Sequence, residues 1–119
     1  MDKREIESYL SGLKGGESSY PFGPEALVFK VMGKMYALVS QKEAPPRVTL
    51  KVDPVDGEIL TSQYDSVSPG YYMNKRHWIT ISLTDELPPE MIKALAEKSY
   101  DLVVSKLTKK DREKLQEVT

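Results

Sequence analysis

The sequence predicts a single α+β domain in which helices cover one face of an antiparallel sheet. Three observations lead there. Helix-period apolar patterns stand near both ends of the chain, over residues 2–13 and 87–107. Runs with the two-residue period of strands fill the stretch from 26 to 52 and return at 76–83. The length, 119 residues, suits one domain, and a chain of that size buries roughly two-thirds of its unfolded surface.

Each element has its own local reason. In residues 2–13, Ile6, Tyr9, Leu10 and Leu13 recur at helical spacing, and Gly15-Gly16 is a natural stop. "SSYPFGPE", Ser18 to Glu25, holds two prolines and a glycine and reads as a connector. "ALVFKVMGKMYALVS", Ala26 to Ser40, is a hairpin signal in which Gly33-Lys34 suits a two-residue turn. That turn sets Phe29 opposite Leu38 and Val31 opposite Tyr36, with Lys30, Met32, Met35 and Ala37 on the other face. In "RVTLKV", Val48, Leu50 and Val52 are expected to point inward, and Arg47, Thr49 and Lys51 outward. Asp53-Pro54 starts a short helix, an acid to cap free amides before a proline suited to the first turn, with Ile59 and Leu60 as its anchors. "SVSPGYYMN" is a connector, and "RHWITISL" a strand with Ile79, Ile81 and Leu83 on one face. Ile92, Leu95, Ala96, Ser99, Leu102, Val103 and Leu107 form a stripe on the longest helix broad enough to cover a sheet. Thr108, with Asp111 three residues on, caps a last short helix.

Composition excludes several classes of function. There is no cysteine, so disulfides and thiolate chemistry are out, and the one histidine, His77, serves transition metals poorly. No metal and no cofactor are expected. No Gly-x-Ser-x-Gly elbow, phosphate loop or dinucleotide glycine pattern occurs, and the acid pairs Asp53/Asp56 and Asp85-Glu86 stand where caps and loops want acids. The chain is therefore not expected to be an enzyme. "MDKREIESYL" lacks the apolar core of a signal peptide, and no apolar run approaches ~18 residues. A cytoplasmic protein with no membrane partner is the expectation. Seventeen Lys and Arg face eighteen Asp and Glu, a net charge of −1. Affinity for a phosphate backbone comes largely from neutralised phosphates, so any nucleic-acid site here has to be a local patch.

Such a patch has candidates. Two tyrosines, Asn74, Lys75, Arg76, His77 and Trp78 crowd into Tyr71–Trp78. Lys75 and Arg76 suit phosphate oxygens, Asn74 and His77 suit a base or sugar, and Tyr72 and Trp78 suit stacking. The bland alternative makes Lys75-Arg76 a solvated turn and Trp78 a core or rim aromatic. Arg47 and Lys51 stand on the outward face of their strand, and Lys30 and Lys34 flank the hairpin turn. Each alone is ordinary surface; together they make a basic sheet face under a neutral total. Tyr20 and Phe22, between prolines, either form a lip for a ligand or fold over the core edge.

"YPFGPEALVFKVMGKMYALV", "PPRVTLKVDP", "SPGYYMNKRHWITI" and "SYDLVVSKL", in this order, resemble the MmcQ/YjbR family. The resemblance runs from about Tyr9 to Leu107. It implies a CyaY-like fold with a curved sheet, and DNA binding through a double wing of hairpins flanking a helix. Iron handling by an acidic first helix, known from other CyaY-like proteins, does not carry over. Lys3 and Arg4 here neutralise Asp2, Glu5 and Glu7, and a hard cation needs uncompensated carboxylates.

Two functions remain at this level. The first is a nucleic-acid module, for DNA, using Lys30, Lys34, Arg47, Lys51, Tyr72, Asn74, Lys75, Arg76, His77 and Trp78, with weak and salt-sensitive binding. The second is a protein- or small-ligand-binding module with an aromatic pocket built from Tyr20–Phe22 and Tyr71–Trp78. Convergence of Arg47, Lys51, Lys75 and Arg76 on one surface favours the first. A cavity lined by His77 and Trp78 away from those cations favours the second.

Overall fold

A computed structural model of the chain describes residues 1–70 and 73–118. Four helices, α1 (Lys3–Ser11), α2 (Pro54–Gln63), α3 (Pro89–Ser105) and α4 (Lys109–Gln116), accompany six strands. The strands are β1 (Gly16–Ser19), β2 (Ala26–Val31), β3 (Lys34–Ser40), β4 (Arg47–Lys51), β5 (Val67–Pro69) and β6 (Trp78–Ser82). They form one sheet in the order β1-β2-β3-β4-β6-β5, with every neighbouring pair antiparallel. The expected α+β class and the helix-on-sheet layering are what the molecule has.

Local signals account for the helices. Asp2 accepts from the Glu5 amide and Glu5 answers in a capping box at α1. Asp53 caps α2 with Pro54 behind it, and Thr108 caps α4 through the Asp111 amide at 3.1 Å. Ile6 and Leu10 of α1, Leu60 of α2, Ile92, Ala96 and Val103 of α3 and Leu115 of α4 all join one core with Phe29, Val39, Leu50, Ile79 and Ile81. All four helices therefore cover the same sheet face. Ile59 departs from expectation: it is 48% exposed, and Leu60 alone of the pair anchors α2.

The β2–β3 hairpin also departs, by one residue. Its turn is Met32-Gly33, both with positive φ (49° and 81°), as a type I′ connection requires. Val31 faces Lys34, Lys30 faces Met35, and the register then slips so that Phe29 faces Ala37. Tyr36 is left without a Cα partner as the extra residue of a bulge, and it turns inward beside Ala37. There its ring meets Tyr100 edge-on at 5.3 Å and its hydroxyl donates to the Leu10 carbonyl at 2.7 Å.

The bulge leaves a gap in the β3–β4 ladder that a helix fills. The last paired residues are Ala37 and Leu50, so the next pair in register is Tyr36 and Lys51. The Ser99 hydroxyl stands between them, accepting from the Lys51 amide at 2.8 Å and donating to the Tyr36 carbonyl at 2.6 Å. One buried serine thereby ties α3 into the sheet and satisfies both groups.

Among the described residues, no helix packs on the opposite sheet face. Across it run Val28, Leu38, Thr49, Thr80 and Ser68 in one register row. Thr49, expected on a solvated face, is only 7% exposed and shares a 3.0 Å hydroxyl contact with Thr80. Leu38, Arg47, Lys51 and Trp78 surround these threonines on the same face and shade them with longer side chains.

Candidate functional site

At one end of the open face, register brings Lys51, the last residue of β4, opposite Trp78, the first of β6. The Lys51 ammonium lies 5.9 Å from the centre of the indole ring, within cation–π range. Trp78 is seated by Gly70, whose amide donates to the Trp78 carbonyl at 2.8 Å. A Cβ at Gly70 would come within 2.6 Å of the Trp78 Cβ, so the strand crossing at this point needs glycine.

Two further lysines reach the same place from other elements. Lys34 follows the hairpin turn, and Lys106 ends α3, where a cation is favoured by the helix dipole. Lys34, Met35, Lys51, Trp78, Val103 and Lys106 line a cleft of about 320 Å³ at the end of the sheet. Among the described residues, three lysines and an indole thus share a lining without a carboxylate. Burial lowers the pKa of Lys51, and repulsion from Lys106 lowers it further.

The remaining expected site residues scatter. Lys30 lies on the open face two strands from β4, opposite Glu17. Arg47 occupies the far end of β4, with its Nε 2.9 Å from Glu43. Lys75 and Arg76 are exposed in a tight turn, where the Arg76 amide donates to Asn74 Oδ1 at 3.0 Å and the His77 amide to the Asn74 carbonyl at 3.1 Å. That turn faces α2: Lys75 and Arg76 border a hollow of about 130 Å³ with Gly57, Glu58 and Thr61. His77 is half-buried and accepts the Val52 amide at 2.9 Å through its carbonyl. Tyr72, like Tyr71, lies outside the described residues. The four cations Arg47, Lys51, Lys75 and Arg76 therefore do not converge; Lys51 gathers Lys34 and Lys106 instead.

The aromatic lip is not where the cleft is. Tyr20 and Phe22 are 53% and 72% exposed on the β1–β2 connection and line none of the clefts described. Among the described residues, no three His, Asp or Glu side chains gather as a metal site, and no helix is long and apolar enough to cross a membrane.

A family model described as YjbR matches residues 11–102. The chain belongs to the YjbR family. Among its relatives, YbdF of Escherichia coli O157:H7 is 38% identical over 99 residues, covering 83% of this chain and 81% of the relative. YjbR of Escherichia coli K12 is 33% identical over 115 residues, 97% of this chain and 98% of the relative. In three dimensions the chain is similar to DR2400 of Deinococcus radiodurans, a DUF419 domain, with a TM-score of 0.88 at 39% identity, covering 97% and 88% of the two chains. A Pseudomonas syringae protein follows at 0.77 and 28% identity, covering 86% and 98%.

One member of the cluster escaped the sequence reading. Lys106 follows Val103 by three residues and so shares its helix face. Helical spacing alone places it at the end of the buried stripe, but only the tertiary fold brings that end to Trp78.

Proposed function

We propose that this YjbR-family protein binds nucleic acid, DNA foremost, through the end of the open sheet face, and that it acts by binding rather than by catalysis. One observation carries the proposal: Lys34, Lys51 and Lys106 meet around Trp78 in a cleft that has no carboxylate in its lining. Bringing like charges together is unfavourable without a counter-charge, and Lys106 adds its repulsion to the burial that chiefly lowers the Lys51 pKa. A phosphate group supplies the missing charge. The exposed part of the indole offers a base something to stack on, as in single-strand binders.

Binding of this kind is weak and only modestly selective. The long helix α3 spends Ile92, Ala96, Ser99 and Val103 on the core, so it has no inward face to spare for reading bases. The salt dependence is calculable. Three phosphate contacts on a single strand give a slope near −2 in log K against log salt, about a 20-fold loss between about 50 and 200 mM. Fluorescence anisotropy of labelled single-stranded and duplex DNA at those two concentrations tests this. Micromolar binding with that slope supports the proposal, and no binding at the lower salt defeats it.

A further inference from the structure

On the other side of Lys51 lies a second cleft, of about 520 Å³, between α2 and α3. We infer that it is a binding site for a small amphiphilic cation, an aliphatic body carrying one protonated amine. The volume falls within the ~300–1,000 Å³ of ordinary small-molecule sites. Val52 forms the floor, Ile59 and Leu60 line the α2 wall, and Leu95 and Leu102 line the α3 wall. These five aliphatic side chains suit a flexible hydrocarbon body, with Ser105 and the charged residues beside them.

Ile59 is the residue that lacks a structural purpose. It is 48% exposed on the lip, and Val55, one turn earlier on α2, is 63% exposed. Isolated apolar surface is ordinary, but two such side chains beside an apolar cleft extend it into a larger unpartnered surface. A ligand body lying along α2 would remove that surface from water.

Charge on the rim chooses the ligand class. Asp53 and Asp56 stand on the α2 side and Asp101 on the α3 side. Against them, Lys98 pairs with Asp56 at 3.6 Å across the two helices. Lys51 borders this cleft as well, but its ammonium lies over the Trp78 ring. Among the described residues, Asp101 has no cation within ion-pair distance. The rim therefore carries surplus negative charge above an apolar floor, and an ammonium head group complements it while a carboxylate is repelled. This inference is independent of nucleic-acid binding, since the two clefts share only Lys51.

The test uses three probes with one body and different heads: n-octylammonium, n-octanol and n-octanoate. Each is titrated below its aggregation limit into the full-length ¹⁵N-labelled chain. The expected result is saturable amide shifts at Ile59, Leu102 and Ser105, with octylammonium at least about fivefold tighter than octanoate. Asp101→Asn, at an exposed position, should keep the spectrum of the fold and shrink that preference to about twofold or less. No saturable shift at the cleft with octylammonium overturns the inference. So does octanoate binding as tightly, or a preference that Asp101→Asn leaves unchanged.

Discussion

The two clefts that meet at Lys51 share β4 and α3 and have opposite characters. The one at Trp78 gathers Lys34, Lys51 and Lys106 with no acid. The one between α2 and α3 sets five aliphatic side chains beside three aspartates and two lysines, Lys51 and Lys98. A net charge of −1 thus hides two local fields of opposite sign, separated by one side chain. Whole-chain charge governs solubility and long-range association, whereas binding is decided within a Debye length, about 10 Å at 0.1 M salt. Averaging over the chain discards the very distinction that matters here.

Beneath the shared Lys51 lies the Ser99 tie between β3, β4 and α3. Ser99→Ala would leave the Lys51 amide and the Tyr36 carbonyl without their shared partner. A loss of about 2–3 kcal/mol is expected in urea unfolding, the cost of two unsatisfied buried groups. If the contrast depends on this tie, the same change also blurs the lysine cleft and weakens DNA binding; a variant that unfolds normally breaks the comparison at its base.

Tyr36→Phe is a smaller perturbation, about 1 kcal/mol, because it removes one hydrogen bond to Leu10. It also carries a pH signature. Burial, and then Tyr100, push the Tyr36 phenol up to about 12 from an ordinary value of 10.0. Above pH 10 the unfolded chain loses this proton while the folded one keeps it. Stability from this group is therefore complete below about pH 10 and lost as pH rises toward about 12. The decline should be shallower in Tyr36→Phe, measured by denaturation at pH 9 to 11.

Lys51 offers a way to sharpen the contrast without mutation. Its pKa is lowered by burial and by Lys106. A base with a depressed folded pKa is held charged at a cost below that value, and the cost is relieved as pH rises through it. Binding to phosphate needs the charged form, so affinity should fall a few-fold as pH climbs and Lys51 loses its proton. By linkage, added DNA should raise the Lys51 titration midpoint, read from its side-chain carbon shift; no movement would separate Lys51 from the anion site.

The smallest expected effect is at Ile59. Because it is half in solvent, Ile59→Ser should change stability by less than about 0.5 kcal/mol. The neighbouring Leu60 is buried, and Leu60→Ala should cost about 2–4 kcal/mol. An equal penalty at both positions would mean that the α2–α3 cleft is closed core rather than an open site.

Most of the fold was legible because its signals are local. Asp53-Pro54, Thr108 with Asp111, and the stripe from Ile92 to Leu107 each specify a helix without reference to the rest. β1 and β5 were not, since "GESS" and "VSP" have little strand character and are strands only because β2 and β6 pair with them. The hairpin register was missed because Met32, a residue seldom left-handed, takes the turn position that Gly33-Lys34 was expected to fill. The site was legible in part. "NKRHW" put Trp78 among the candidates, yet the residues that line a cleft with it are not its chain neighbours Lys75 and Arg76. They are Lys51 and Lys106, placed by the pairing of β4 with β6 and the docking of α3. No local pattern encodes either contact.

The most direct measurement compares two charge-reversal pairs in one assay. Lys34→Glu/Lys106→Glu removes two lysines of the Trp78 cleft, and Lys75→Glu/Arg76→Glu reverses the exposed turn. By anisotropy with single-stranded DNA at about 50 mM salt, each lost phosphate contact is worth about eightfold. The first pair is expected to weaken binding roughly 50-fold and flatten the salt slope, while the second changes affinity by no more than about threefold. Equal losses, or a larger loss from the turn, would contradict the assignment of the lysine cleft at Trp78 as the binding site.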